Sequence, residues 1–333
     1  MTATVLLRGQ GVAVSAAAHL LGQAGIDVAL EPGTRRPVPV IMLSDPAMAL
    51  LRDVFGQPRL FADRPRIERR IVRWRSGDPV VMPHGAVVVS EDDLAAALTP
   101  AHALPPAGEP SFTIHATAPF PAQDMLRFGE RPSSTARVAL SPGAPPATCW
   151  IESANDGWLF LIPDGTGGAW LLAVGDAPDA LLAQAPMIAP LIAAIAPAGH
   201  RFDTSPRMLE QLAGDTWLAC GTAALAFDPI CGDGTAQATR EAILASAVVT
   251  AMARGEDPAA LCNHYHAMLL AALRRHLQLS LPFYAGGGTS PWWQNQFATA
   301  RAGYDTTTAL LGHQPEPRFA LSGFDLIRRE RAA

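Results

Sequence analysis

The chain has 333 residues, of which 49% are hydrophobic and 17% are charged, so it has enough apolar side chains for one large domain or two smaller ones. This composition argues against a disordered chain, and the formal net charge of −5 argues against a nucleic-acid-binding protein. All 25 basic residues are arginines, so no lysine amine is available for catalysis.

Four cysteines lie far apart in the sequence, which is typical of reduced, buried thiols and not of a zinc site or a disulfide framework. The most apolar stretch, residues 181–198, contains Pro186, Pro190 and Pro197, a spacing that a membrane-spanning helix does not tolerate. We interpret this stretch as a pair of packed helices. Because no signal-peptide pattern opens the chain, we expect a cytoplasmic protein without a membrane span.

Residues 4–31 have the strand–turn–helix–strand pattern that opens a dinucleotide-binding unit. The apolar run 4–8 predicts a strand, the alanine-rich segment 12–24 predicts a helix, and 26–30 predicts a second strand. Two glycines lie between the first strand and the helix. Their position predicts a pyrophosphate site where the helix begins.

The candidate ligand-binding residues of this unit are Gly9, Gly11, Val12, Ala13 and Glu31. Gly9 allows a tight turn, and Gly11 allows the backbone N–H groups that follow it to approach a pyrophosphate. Glu31 lies about 20 residues after the glycines, where a carboxylate can accept hydrogen bonds from ribose hydroxyls.

A second glycine-containing segment follows a predicted strand at 216–220 and precedes a predicted helix at 235–253. Glycines at the start of a helix leave backbone N–H groups free to face an electron-rich ligand. A proline makes the preceding loop rigid, and an aspartate beside it can hold the turn. The candidate ligand-binding residues of this segment are Thr222, Asp228, Pro229, Gly232, Asp233 and Gly234.

The chain between these two segments is rich in predicted strands. Hairpin strands are predicted at 69–74, 80–81 and 86–89, with turns at 76–78 and 83–85. A three-stranded meander is predicted at 148–151, 157–163 and 168–174. In its middle strand Trp158, Phe160 and Ile162 recur at every second position, which indicates one packed sheet face.

Residues 221–234 resemble the second FAD fingerprint of the aromatic hydroxylase and flavin-dependent halogenase superfamily, in which an Asp-Pro pair and a Gly-x-Gly helix start follow a Gly-Asp-Ala-Ala segment. Residues 157–163 resemble the GWxWxIP element of flavin-dependent halogenases, with Phe160 in place of the second tryptophan. Residues 114–118 resemble a strand of the superfamily that ends in Ala-Thr-Gly. The aromatic residues between 265 and 293 resemble the tail of flavoproteins that modify peptide-derived quinone cofactors.

The resemblance implies an α/β fold of the p-hydroxybenzoate hydroxylase type, with a Rossmann-like FAD-binding domain, an inserted mixed β-sheet substrate domain and C-terminal helices. The FAD-binding domain would be discontinuous and comprise residues 1–68, 90–118 and 208–265. The β-rich substrate domain would comprise residues 69–89 and 119–207, followed by a helical C-terminal segment, 266–333.

The resemblance also implies an enzyme, an FAD-dependent monooxygenase that hydroxylates an aromatic substrate through a flavin C4a-hydroperoxide. The substrate would be a small molecule, such as a natural-product intermediate, or a peptide-borne tryptophan or tyrosine side chain, with Trp158 and Phe160 lining its pocket. NAD(P)H or a partner flavin reductase would supply the electrons. Halogenation is disfavoured, because flavin-dependent halogenases use a catalytic lysine and this chain has none. The pattern indicates no catalytic residue.

Three positions depart from the superfamily's patterns. Val14 stands where the GxGxxG motif of the first unit has its third glycine, Ala118 replaces the glycine of Ala-Thr-Gly, and Thr222 replaces the aspartate of Gly-Asp-Ala-Ala. Two alternatives stay open. One is a flavin-dependent reductase of the geranylgeranyl-reductase type, which shares the Asp-Pro and Gly-x-Gly segment and in which residues 181–198 would line an apolar tunnel. The other is a non-catalytic scaffold or maturation partner that binds FAD weakly or not at all.

Overall fold

The computed structural model describes residues 4–34, 37–99, 109–230 and 234–329, which form a mixed α/β structure. The described strands are β1 (Thr4–Arg8), β2 (Asp27–Glu31), β3 (Ile41–Ser44), β4 (Arg66–Arg73), β5 (Val80–Val89), β6 (Phe112–His115), β7 (Met125–Arg127), β8 (Pro132–Leu140), β9 (Thr148–Ala154), β10 (Gly157–Pro163), β11 (Gly168–Gly175), β12 (Ile192–Ile195), β13 (Phe202–Asp203), β14 (Arg207–Leu209), β15 (Ala213–Gly214), β16 (Trp217–Ala219), β17 (Leu225–Ala226), β18 (Phe319–Ser322) and β19 (Asp325–Arg328). The described helices are α1 (Val12–Gln23), α2 (Asp45–Phe55), α3 (Glu91–Ala97), α4 (Pro178–Leu182), α5 (Gly234–Ala253), α6 (Pro258–Gly286) and α7 (Pro291–Gly312).

A five-stranded sheet in the order β15-β16-β6-β1-β2 carries the first glycine turn. Strands β16, β6, β1 and β2 are parallel, and β15 is antiparallel at one edge. Parallel strands are covered on both faces, and accordingly Val5, Leu6 and Leu7 of β1 are all buried. Helix α1 connects β1 to β2 and packs with α5 in the same core. The predicted strand–helix–strand unit is confirmed, with ends that differ by at most one residue.

A nine-stranded sheet contains the predicted meander β9-β10-β11, and its path runs β12-β8-β11-β10-β9-β4-β5-β3, with β13 beside β8. Side chains alternate between its two faces. On the outer face, Trp150, Leu159 and Leu161 pack with residues from 181–192. The opposite face, which we call the inner face, includes Cys149, Ile151, Trp158, Phe160, Ile162, Leu172 and Val174.

Residues 181–198 do not form the predicted pair of helices. α4 ends at Leu182, a single 3₁₀ turn spans Ala189–Leu191, and β12 pairs with β8 as an edge strand. Pro186 and Pro190 prevent a continuous helix, and the free edge of β8 offers backbone hydrogen bonds to the chain that follows.

The predicted turn at 83–85 is also wrong, because β5 continues through it from Val80 to Val89. Pro83 lies opposite Arg69, beside a β-bulge in β5, where residues 84 and 85 lie opposite the single β4 residue between Ile67 and Arg69. A proline cannot donate a ladder hydrogen bond, and the bulge interrupts the ladder at this point, so the strand tolerates it.

Helices α6 and α7 pack against each other at the C-terminal side of the chain. α6 continues through Pro282 to Gly286. Pro315 and Pro317 follow α7, and the chain then forms the hairpin β18–β19 and not a further helix. None of the described helices is long and apolar enough to cross a membrane.

The division of the chain into an FAD-binding part and a substrate part stays a prediction. The strand pairing is relevant to one boundary of this division. β3, which the division assigns to the FAD-binding part, pairs with β5 in the nine-stranded sheet.

Candidate active site

Three backbone segments meet at the carboxyl end of the five-stranded sheet. Gly9 follows β1 and has a φ of +130°, and a Cβ atom placed on it would lie 3.2 Å from Cβ of Ala116 and from the backbone nitrogen of Thr117. Gly221 follows β16 and has a φ of +78°, and its Cβ would lie 3.3 Å from Cβ of Ala13. Both positions therefore favour glycine. The close approaches at Gly9 and Gly221 bring the two glycine-containing segments together at one crevice. This end of an open α/β sheet is where ligands bind.

Helix α1 begins at this crevice, and no side chain caps its first turn. Its N-cap is Gly11, its first turn contains no acidic residue, and Ser15 N–H donates to the Gly11 carbonyl across 3.2 Å. The N–H groups of Val12, Ala13 and Val14 therefore have no acceptor within the helix. Free N–H groups at the positive end of a helix dipole fit the pyrophosphate of a dinucleotide.

Val14, which stands where the motif has its third glycine, is buried in the core that α1 shares with β1. Its side chain packs with apolar residues such as Leu7, and α1 keeps its contact with the sheet. The departure at this position therefore leaves the turn at Gly9 intact.

Glu31 lies beside the first turn, and its side chain has a partner that the sequence did not indicate. Its carboxylate forms a 2.9 Å ion pair with Arg8, and both side chains are about half exposed, at 50% and 46%. The Gly9 N–H donates to the Glu31 carbonyl across 2.9 Å, which joins the turn to β2. His115 lies nearby in β6, and burial lowers its pKa, to which the charge of Arg8 contributes.

Asp228, predicted to contact the cofactor, is fully buried and its carboxylate is engaged by protein donors. Oδ1 accepts from Ile230 N–H at 2.9 Å, and Oδ2 accepts from the Tyr284 hydroxyl. Arg131, also fully buried, places Nη1 at 3.1 Å from the same Oδ2 and stacks over the Tyr284 ring at 4.4 Å. The Asp228 side chain therefore holds its loop against α6 and the start of β8.

His276 of α6 completes this cluster through the backbone. The Asp228 N–H donates to His276 Nε2 across 2.9 Å. Burial and the charge of Arg131 lower the pKa of His276 to about 3, so the imidazole is neutral and Nε2 is an acceptor.

The other predicted residues of the second segment differ in position. Thr222 is exposed next to Gly221, Pro229 is half-buried, and Gly234 is exposed at the start of α5. Gly232 and Asp233 lie outside the described residues. Thr222 and Gly234 are therefore accessible to a ligand.

Glu241 of α5 is a residue at the crevice that sequence reasoning missed. It is fully buried, its Oε2 accepts from Gly221 N–H at 2.7 Å, and its Oε1 accepts from the Gln237 amide at 3.2 Å. Burial raises its pKa to about 8. The available signal was an acid within a helix made mainly of small and apolar residues, a pattern typical of a buried helix.

The inner face carries both predicted pocket residues. Trp158 and Phe160 are buried there and share an apolar cluster with Ile230, Tyr284 and Trp293. Ile230 belongs to the second glycine-containing segment, and the two other partners belong to α6 and α7. Trp158 and Phe160 thus belong to the aromatic wall between the nine-stranded sheet and that segment.

The structure is similar to several solved enzymes, among them flavin-dependent ones. It matches the peptidyl tryptophan dihydroxylase QhpG, described as essential for tryptophylquinone cofactor biogenesis, with a TM-score of 0.74 at 22% identity, over 89% of this chain and 79% of that chain. It matches the flavin-dependent halogenase CmlS with a TM-score of 0.76 at 17% identity, over 97% and 74%. It matches a variant of HpxO from Klebsiella pneumoniae, complexed with FAD, with a TM-score of 0.62 at 16% identity, over 92% and 99%. No family model matches the sequence, and no curated protein matches it either.

These similarities cover nine tenths of this chain and both of its larger sheets, and they agree with the fold that the sequence resemblance implied. The chain therefore has the fold of the FAD-dependent monooxygenases and flavin-dependent halogenases.

Proposed function

We propose that this protein is an FAD-dependent monooxygenase that hydroxylates an aromatic substrate. The observation that carries the proposal is the convergence of the Gly9 turn, the Gly221 turn and the uncapped start of α1 at one crevice. The aromatic inner face of the nine-stranded sheet packs against Ile230 of the second glycine-containing segment, which starts at this crevice. FAD-dependent enzymes with the same fold support the choice of cofactor.

The residues present fit FAD. Gly9, Gly11 and the N–H groups of Val12 and Ala13 would hold the pyrophosphate, and the exposed oxygen of Glu31 would accept from the adenosine ribose. The second glycine-containing segment would contact the rest of the cofactor, through Thr222, Pro229, Gly232, Asp233 and Gly234. Asp228 would contribute indirectly, because its hydrogen bonds fix the backbone of this segment. When bound, FAD supplies the oxygen activation that ring hydroxylation needs.

Trp158 and Phe160 would hold the aromatic ring and keep water away from it. The substrate is either a small aromatic molecule or a peptide-borne side chain. QhpG acts on a peptidyl tryptophan, which makes a peptide-borne indole one candidate. NAD(P)H or a partner flavin reductase would supply the electrons, and a cytoplasmic location stays a prediction. Halogenation by a lysine-dependent mechanism does not suit a chain without lysine.

Of the two alternatives, the reductase of the geranylgeranyl-reductase type is not supported by the position of the segment that would line its tunnel. Residues 181–192 contribute to the cluster on the outer face of the nine-stranded sheet, away from the aromatic inner face. A non-catalytic scaffold stays the second candidate, because two predicted polar ligands, Glu31 and Asp228, already have protein partners.

The test is an absorption titration of the purified protein with FAD. A saturable, protein-induced change in the flavin band is expected, and NAD(P)H oxidation should then be stimulated by an aromatic compound that gains one oxygen atom, detected by mass spectrometry. Absence of flavin binding at high FAD concentration would favour the scaffold. Flavin binding without oxygen transfer to any aromatic compound would support FAD as the cofactor and contradict the proposed hydroxylation.

A further inference from the structure

β4 has a bulge at Glu68 and Arg69, whose N–H groups both donate to the Ala147 carbonyl. This bulge changes which arginine reaches the inner face. Ile67, before the bulge, packs in the inner-face cluster, so every second residue after it would face inward in a regular strand. After the bulge Val72 lies on the inner face, whereas Ile71 packs on the outer face. The bulge has shifted the alternation by one residue, and it directs Arg70 inward in place of Arg69.

Arg70 thus lies on the aromatic wall. Its guanidinium carbon is 6.0 Å from the centroid of the Phe160 ring, and its Nη2 is 2.8 Å from Nε2 of His84. Its Nε is enclosed by protein and has no hydrogen-bond partner. Cys149 is the residue opposite it in β9. Arg70 is a partly buried cation on a face that is otherwise mainly apolar.

Neither of these polar neighbours neutralises the charge. Arginine only donates, so His84 Nε2 must accept and carries no proton. Burial raises the pKa of the Cys149 thiol, although Arg70 opposes this, so the thiol stays neutral. In the part of the chain that the structure describes, no carboxylate forms an ion pair with Arg70, whereas Arg73 of the same strand pairs with Glu152 on the outer face at 3.0 Å.

A charge removed from water without a counter-ion is costly, and a guanidinium offers paired N–H groups that match the two oxygens of a carboxylate. We propose that Arg70 binds the carboxylate of the substrate, whose aromatic ring lies against Phe160. His84 fixes the orientation of the guanidinium. The inference rests on the proposed function for the chemistry at the ring, and it narrows the substrate to a small aromatic acid, because a tryptophan or tyrosine side chain within a peptide carries no carboxylate.

The test compares aromatic acids with their amides, which have nearly the same shape and no charge. Indole-3-acetate and indole-3-acetamide, and phenylacetate and phenylacetamide, are titrated into the protein by calorimetry, with and without added FAD. Hydrogen bonds to charged groups predict about 10- to 100-fold tighter binding of the acid in at least one pair. Equal affinities of acid and amide, or no binding of either acid, would overturn the inference.

Two variants assign the effect to one residue. Arg70→Met keeps the length of the side chain and removes its charge, and it should abolish the preference for the acid. Arg69→Met removes the neighbouring, exposed arginine and should keep the preference. An Arg70→Met protein that still prefers the acid, or an Arg69→Met protein that loses the preference equally, would contradict the proposal. Circular dichroism checks that both variants are folded, and Arg70→Gln replaces Arg70→Met if the latter is not.

The FAD titration separates this inference from the proposed function. If FAD binds and no acid is preferred, the carboxylate site is wrong and the flavoenzyme proposal stands. If acids bind in an Arg70-dependent manner and FAD does not bind, the carboxylate site stands and the flavoenzyme proposal is wrong.

Discussion

Glu241 lies directly beneath Gly221, whose backbone N–H donates to Glu241 Oε2 across 2.7 Å. This hydrogen bond joins α5 to the Gly221 turn, which forms one side of the crevice. Because burial raises the pKa of Glu241 to about 8, its carboxyl group is mainly protonated at neutral pH. The crevice is therefore supported by a neutral acid within the core.

Glu241 should make the stability of the protein depend on pH. In the unfolded chain this carboxyl group titrates near 4.5, so between about pH 4.5 and about pH 8 the folded state holds a proton that the unfolded state has lost. The free energy of unfolding therefore falls as pH rises through this window and levels off above it. Glu241→Gln keeps the shape and cannot ionise, so it lacks this slope.

Thermal unfolding of both proteins from about pH 5 to about pH 9 measures the effect. The Tm of the natural protein minus the Tm of Glu241→Gln should decrease with rising pH up to about 8 and then stay constant. A difference that does not change with pH would show that Glu241 titrates normally in the folded state.

Gly9→Ala should weaken FAD binding. Its Cβ would lie 3.2 Å from Ala116 and Thr117, so the crevice must widen or the turn must shift. Gly25→Ala is a matched control, because Gly25 also has a positive φ but no atom lies within 4 Å of its Cβ. Each substitution costs about 1–3 kcal/mol of backbone strain. Only Gly9→Ala is expected to lower FAD affinity, by about 10-fold, which is about 1.4 kcal/mol.

Fluorescence titration of FAD measures both variants. Equal FAD affinities in Gly9→Ala and Gly25→Ala would place the pyrophosphate elsewhere.

Arg131→Met should strongly destabilise the fold, because it leaves the fully buried Asp228 carboxylate without its cation. Breaking a buried ion pair from one side costs about 3–5 kcal/mol. Adding Asp228→Asn should recover part of this loss, since the remaining group is then neutral. Urea denaturation of the two single variants and the double variant measures the coupling, and strictly additive losses would mean that the ion pair contributes nothing.

Trp158→Phe should impair turnover of the aromatic substrate, because Trp158 lies on the inner face with Phe160. Trp150→Phe is its control, since Trp150 is equally buried but packs on the outer face of the same sheet. Both variants lose similar packing volume, so a selective rise in KM for Trp158→Phe, of about 10-fold, would reflect the pocket and not the fold. The measurement is substrate-stimulated NAD(P)H oxidation, and equal kinetics of the two variants would remove Trp158 from the pocket wall.

Elements defined by short-range sequence patterns are formed as predicted. The strand at 4–8, the helix after Gly11 and the strand 157–163 follow from hydrophobic period and glycine position, and each is formed as predicted. The predictions that were wrong, at 181–198 and 83–85, concern segments whose conformation depends on pairing with β8 and with β4. Both partner strands lie outside these segments, so the segments alone do not show the pairing.

Glycine spacing and hydrophobic period predict the two glycine-containing segments and the aromatic alternation at Trp158 and Phe160, and the family resemblance of these segments predicts the class of fold. Which polar groups meet depends on how distant segments pack together. Asp228 finds its partners 48 and 56 residues further along the chain, and packing of α6 selects them. Arg70 faces the aromatic wall in place of Arg69 because a bulge at Glu68 and Arg69 shifts the alternation of β4 without changing its composition.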